Sequence, residues 1–306
     1  MGIVTIVIEI VITNCIPTSG MTLMTKQNND CDSCAQKGSC KDENDGNECT
    51  HKVDRMAKIK HKIIIASGKG GVGKSTVSVN LARALQLKGM RVGILDADIT
   101  GPDIPKLLGI EDARLMQGQE GIEPAKADGI KAASMALILT SRDSPVVWRG
   151  PMKMAAIKQF IQDVNWGDLD FLLVDLPPGT SDEPLSVVQL IPELAGAIIV
   201  TTPQEVALLD SRKAVNMVRA MKLPVLGIVE NMSGLICPHC GDSISIFGAG
   251  GGERMAEEMD VPFLGAIPID PKVCALGDSG MTFVQSGTLA GGSFNKIVEK
   301  LLEMFN

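Results

Sequence analysis

The chain of 306 residues contains no tyrosine, seven phenylalanines and two tryptophans. Recognition by stacked aromatic platforms has little to work with in such a chain. A basic surplus is also missing: 29 lysines and arginines face 36 aspartates and glutamates, a formal charge of −7. Binding nucleic acid by phosphate neutralisation needs the opposite balance, so no nucleic-acid partner is expected. No run of 18 or more apolar residues occurs, which argues against a membrane-spanning helix and a membrane partner.

The opening stretch, Gly2 to Thr13, is β-branched but lacks a basic flank and a small-residue cleavage pattern, and it carries Glu9. It does not read as a secretory signal. Residues 1–24 are expected to be a mis-assigned start, with Met21 and Met24 following, or an edge segment. Residues 25–60 are polar and cysteine-bearing and read as a flexible arm; the periodic body runs over 61–306. Eight cysteines in a chain this large, without a secretory signal, point to metal or redox chemistry in a reducing compartment, and a cytoplasmic location is expected.

The body alternates short apolar runs with helical periodicity. Strands are predicted at 63–67, 91–95, 171–175, 197–201, 225–230 and 263–268. Helices are predicted over 76–88, 152–164, 184–191, 206–221 and 253–259. Near-continuous apolar strands between helices imply an α/β fold, a mostly parallel sheet with helices on both faces. In that architecture ligands bind at the carboxyl ends of the strands.

Gly68-Lys69-Gly70-Gly71-Val72-Gly73-Lys74-Ser75-Thr76 follows the first strand and opens the first helix. Its G-x-x-x-x-G-K-S spacing is that of a Walker A phosphate loop, hence of a P-loop NTPase. The glycines let backbone N–H groups converge on phosphate oxygens, and the helix N-terminus adds partial positive charge. Lys74 would reach the β- and γ-phosphates, and Ser75 would ligate Mg²⁺. Asp175 ends the strand FLLVD, the place of a Walker B carboxylate holding Mg²⁺ through water, while Asp96 and Asp98 end the second strand in LDADITGPDIP. Three carboxylates thus converge on one sheet edge facing the phosphate loop.

Cys237-Pro238-His239-Cys240 follows Asn231-Met232-Ser233. A C-x-x-C pair puts two thiolates within reach of one metal, whereas an iron–sulfur cube takes four. Two copies of the chain would supply four, which fits one bridging 4Fe–4S cluster. Zinc shared across a dimer and a thioredoxin-like redox pair are the other readings of the same spacing.

The second lysine in GKGGVGKST resembles the deviant Walker A loop of the MinD, ArsA and nitrogenase-reductase class. The resemblance implies a dimer in which Lys69 reaches the partner's nucleotide, Asp98 activates the attacking water with Asp96 near the metal, and Asn231 reads adenine. GKGGVGKST, LDADITGPDIP, VVWRGPM, LLVDLPPGTSDE, TTPQEVALLD and ENMSG before CPHC, in that order, resemble the Mrp/ApbC family of iron–sulfur P-loop ATPases. That resemblance implies ATP binding, slow hydrolysis coupled to cluster transfer, homodimerisation, Cys237 and Cys240 as bridging ligands, a cluster scaffold or donor as partner, and apo iron–sulfur proteins as recipients. Cys31, Cys34 and Cys40 resemble three ligands of a ferredoxin-like motif in one branch of the family, with Cys15 or Cys49 as a fourth. Cys274 has no role in the family and reads as a small buried hydrophobe.

Two other functions fit parts of the pattern. An electron-donating ATPase like the nitrogenase iron protein shares the fold, but its two ligand cysteines lie far apart in the chain. A MinD-like positioning ATPase needs a basic amphipathic C-terminal helix. Here residues 294–305 are amphipathic but their charges cancel, and docking on the chain's own domain is expected.

Overall fold

A computed structural model describes residues 54–139, 148, 150–237 and 239–305. An eight-stranded sheet carries the body: β1 (Ile59–Ser67), β2 (Val92–Asp96), β5 (Ala125–Ala127), β6 (Ile130–Ala133), β7 (Leu169–Asp175), β8 (Leu194–Thr201), β9 (Val225–Glu230) and β12 (Phe263–Ala266). Their spatial order is β12-β9-β8-β1-β7-β2-β6-β5. Every neighbouring pair is parallel except β5 and β6 at one edge. Two small hairpins stand outside the sheet, β3 (Met116–Gly118) with β4 (Gly121–Glu123), and β10 (Leu235–Ile236) with β11 (Ser243–Ile244).

Eight α-helices accompany the strands among the described residues: α1 (Lys74–Leu87), α2 (Ile104–Leu107), α3 (Gly150–Asp163), α4 (Asp182–Leu190), α5 (Glu205–Ala220), α6 (Gly251–Glu258), α7 (Pro271–Asp278) and α8 (Leu289–Glu303). Side chains alternate across a strand, so β1 feeds two cores. Ile63 and Ile65 pack with Leu81 and Leu85 of α1 and Phe294 and Val298 of α8. Ile64 and Ala66 pack with Phe160 of α3, Val187 of α4, Val215 of α5 and Met255 of α6. This is the doubly covered parallel sheet that the apolar strands imply.

β1 starts at Ile59, four residues before its purely apolar core, because the sheet tolerates Lys60 and His61 at its lower end, and Met56 is buried ahead of it. The amphipathic C-terminal segment is docked as expected: Phe294, Ile297, Val298 and Leu301 of α8 are buried against the sheet. Its apolar face is therefore used inside the domain, which leaves a MinD-like membrane contact through this helix without its apolar face. Among the described residues, no helix is long and apolar enough to cross a membrane.

The middle of the sheet leaves little room. A Cβ on Gly93 of β2 would come within 2.7 Å of Leu169 Cδ1 and 3.0 Å of the ring of Trp166, which is fully buried. Gly93→Ala is expected to lower unfolding stability by about 1–3 kcal/mol, the usual cost of overpacking, measured as a shift in the urea midpoint at constant slope.

Candidate functional site

The sheet order puts β7 between β1 and β2, so the phosphate loop, Asp175 and Asp96 emerge side by side. Asp96 and Asp175 are paired in register across β2 and β7. All three features sit at carboxyl ends of parallel strands, where this topology places ligands.

The loop's glycines answer to particular neighbours. Gly68 lies against the backbone of α5, where a Cβ would fall 2.1 Å from the Asp210 carbonyl carbon. Gly73 has φ +82°, and a Cβ there would fall 2.2 Å from Asn231 Nδ2. Gly73 is the residue before α1 and makes no side-chain cap, so the first N–H groups of α1 are left to face a ligand. Lys69, Gly70, Gly71, Val72, Gly73, Lys74, Ser75 and Thr76 line a cleft of about 420 Å³ together with Asp98, Asp103, Pro178 and Met232.

Lys74 Nζ and Asp175 Oδ2 meet at 2.5 Å with both side chains buried. Ser75 Oγ donates to the same oxygen at 2.7 Å, and Ser78 Oγ donates to Oδ1 at 2.5 Å. A buried carboxylate needs such partners, because desolvation otherwise makes the charge prohibitive. On β2, Asp96 is buried and accepts from Ser134 Oγ at 2.9 Å and from the Asp98 N–H at 3.2 Å. Burial holds the Asp96 carboxyl well above the usual carboxylate range, and the charge of Asp175 pushes it the same way. Asp98 is half-buried; burial raises its pKa too, opposed by the N–H of Gly101 and the charge of Lys74.

Ser75, Asp96 and Asp175 offer only hard oxygen donors, and Asp96 and Asp175 repel one another. That donor set fits Mg²⁺, whose charge would relieve the repulsion. Neither Ser78 nor Ser134 stands out in the sequence as a site residue. Ser78 lies one helical turn after Lys74 and so shares its face; Ser134 follows β6, whose place beside β2 only the sheet order reveals.

Asn231 is half-buried, and its Nδ2 donates to the carbonyl of Val72 at 2.9 Å, in the middle of the phosphate loop. The chain then runs directly into the cysteine hairpin. The N–H of Ser233 bonds the carbonyl of Ile267, and that of Ile269 bonds the carbonyl of Gly234 at 2.7 Å, so the segment is fastened beside β12. Between β10 and β11 the Cys237 N–H bonds the carbonyl of Asp242 at 2.8 Å and the Gly241 N–H bonds the carbonyl of Cys237 at 2.9 Å. Backbone N–H groups of Cys240 and then His239 point at the Cys237 sulfur and lower its pKa. Donors aimed at sulfur favour thiolate, the form that binds metal. Cys240 is exposed, with its Sγ 3.3 Å from Asp242 Oδ2.

Among the described residues no group of three or more His, Cys, Asp or Glu is placed to hold a metal ion, so Cys237 and Cys240 stand as a pair without a third candidate ligand beside them. Cys15, Cys31, Cys34, Cys40 and Cys49 lie outside the described residues. Cys274 departs from its expected burial: it is exposed on α7, with Sγ 3.7 Å from Asp278 Oδ2, because α7 buries none of its residues fully.

The strand–loop–helix with its buried lysine–aspartate contact defines a P-loop NTPase. The chain belongs to the ParA family described as NUBPL iron-transfer P-loop NTPases, whose family model matches residues 58–302. It is 50% identical over 276 residues to the iron-sulfur cluster carrier protein of Methanocaldococcus jannaschii, covering 89% of this chain and 95% of that one. It is 48% identical over 244 residues to a protein of Dictyostelium discoideum named cytosolic Fe-S cluster assembly factor NUBP2 homolog, covering 77% of this chain and 92% of the other. Among solved structures, the nucleotide-binding protein of Archaeoglobus fulgidus in complex with ADP has a TM-score of 0.66 at 42% identity, covering 74% of this chain and 89% of that chain.

Two carboxylates facing each other in a buried site are arranged for a ligand rather than for stability. Asp96→Asn can still accept the Asp98 N–H through its Oδ1 and can donate through Nδ2 to the Ser134 hydroxyl, and it removes the ionisable carboxyl that faces Asp175. Without nucleotide, it is expected to stabilise the protein by about 1 kcal/mol in urea unfolding while slowing Mg²⁺-dependent ATP turnover.

Proposed function

We propose that the chain is an ATPase of the cytoplasm that works as a homodimer and carries an iron–sulfur cluster to apo-proteins. The observation that carries the reading is the short connection between its two sites. The amide of Asn231 holds the phosphate loop at Val72, and six residues later the same segment ends in Cys237. The names of the relatives support the cargo, and the two-ligand hairpin supports a site completed by a second copy. Ile236 and Ile244 in the hairpin, and Ile246 and Phe247 just after it, are exposed, an apolar skirt suited to burial against such a copy.

On the nucleotide side, Lys74 exchanges Asp175 for the β- and γ-phosphates of ATP. Ser75, Asp175 and Asp96 would hold Mg²⁺, which neutralises charge developing on the phosphates. Asp98 orients the attacking water, and its raised pKa suits a proton acceptor. Lys69 lines the same cleft and would reach the nucleotide of the partner copy, and Asn231 would read adenine. Nucleotide acts on the cargo by favouring one of two arrangements of the hairpin, which requires different affinities in the two.

Anaerobic reconstitution with iron and sulfide, followed by iron and acid-labile sulfide counts, tests the reading. The Cys237→Ala/Cys240→Ala protein is expected to lose about four irons per dimer relative to wild type while binding ATP normally. Iron surviving in that variant would place a second cluster on Cys31, Cys34 and Cys40. Zinc in place of iron in the wild type would refute the carrier function. Lys74→Ala is expected to keep the cluster yet fail to mature target enzymes in cells; normal maturation by that variant would break the proposed coupling.

A further inference from the structure

We propose that Lys153 is a positioning residue for ATP hydrolysis, a clamp between the loop that carries Asp98 and the loop that follows Asp175. The inference rests on the ATPase reading above and goes beyond it, since no motif in the sequence singles out this lysine. Lys153 lies in the first turn of α3. Its Nζ donates to Thr100 Oγ1 at 2.9 Å and to Glu183 Oε1 at 2.9 Å. The two acceptors lie on different segments of chain, one following β2 and one following β7, both on the same side of the phosphate loop.

Thr100 is part of the turn that holds Asp98. The N–H groups of Thr100 and Gly101 both donate to Asp98 Oδ1, at 3.2 and 3.1 Å. A displacement of Thr100 is therefore a displacement of the Asp98 carboxylate. Glu183 stands in the first turn of α4, directly after residues 176–181. That stretch puts Pro178 on the wall of the cleft, and its Gly179 N–H bonds the carbonyl of Ser67 at 3.0 Å, at the root of the phosphate loop. One ammonium group thus sets the spacing between the water-orienting carboxylate and the segment beyond the metal-binding aspartate.

The residue type suits the task. An ammonium has three donors on a flexible stem and can serve two acceptors that do not share a plane. As a stabiliser of the fold, a partly exposed pair of this kind counts for little. Its consequence is geometric, and phosphoryl transfer depends on geometry: small misplacement of the water-orienting group costs rate without costing binding.

The test is steady-state ATP hydrolysis by the full-length protein, with ATP affinity and melting temperature measured on the same preparations. Lys153→Met is expected to lower kcat about tenfold and to leave the KM for ATP and the melting temperature near wild type. Lys153→Arg is expected to recover part of the loss. Glu183→Gln, which lies nearer the surface, is expected to lower kcat in the same direction, and adding Thr100→Val to Lys153→Met to cost little more, because Lys153→Met has already removed the Thr100 contact. An unchanged kcat in Lys153→Met would overturn the proposal, as would a loss appearing equally in KM or explained by a lower melting temperature. Wild-type turnover with an unaffected Lys153→Met defeats the clamp alone. A wild-type protein without ATP turnover defeats the ATPase reading, and the clamp with it.

Discussion

The contact between Lys74 and Asp175 is the constraint around which the site is built. A charge of either sign alone at that depth would be untenable, so each requires the other and both require hydroxyl partners. Ser75 and Ser78 supply them from one face of α1. The pairing in turn demands that β7 lie directly beside β1, with Asp175 level with the base of the phosphate loop. Once β7 takes that place, β2 must lie beyond it, and Asp96 comes opposite Asp175. The site is left with more negative charge than its single buried lysine balances, a condition that a cation and a phosphate chain together resolve.

The second organising feature is the economy of the path from nucleotide to thiol. Asn231 lies at the end of β9, touches the phosphate loop with its side chain, and begins the backbone that reaches Cys237. That backbone is fastened to the segment after β12, and α7, which begins at Pro271, returns to the cleft through Gly277 and Asp278. Two routes thus join the cleft to the hairpin, one through Asn231 and one through α7. With Pro178 on the cleft wall as well, the cleft is walled from both flanks of the phosphate loop.

Much of this was legible in the sequence, for identifiable reasons. The phosphate loop is a local feature, since its spacing, the preceding strand and the following helix are contiguous, and all three were found where expected. The buried strands were legible because both faces are covered and every residue must be apolar, as in IIIAS and FLLVD. What the sequence did not reveal is non-local or weakly patterned. The order of strands, which makes Asp96 and Asp175 neighbours, has no local signature. Strands β3 to β6 are three or four residues long and rich in alanine, glycine and lysine, too short for periodicity to register. The helix α7 has no sequence signature because its residues stay partly exposed and leave no apolar stripe, which is also why Cys274 is exposed and not buried. Lys153 carried no signal at all, because its meaning lies in two loops that are far from it in the chain.

The central claim is that ATP at the cleft changes the hold of Cys237 and Cys240 on their cargo. Its most direct test is the rate at which reconstituted wild-type protein passes a cluster to an apo-ferredoxin, followed by circular dichroism with Mg²⁺-ATP, with Mg²⁺-ADP and with no nucleotide. The account predicts that Mg²⁺-ATP alters that rate severalfold relative to no nucleotide. Equal rates under all three conditions, with nucleotide shown to be bound, would contradict it: the two sites would then be neighbours in one chain without being coupled.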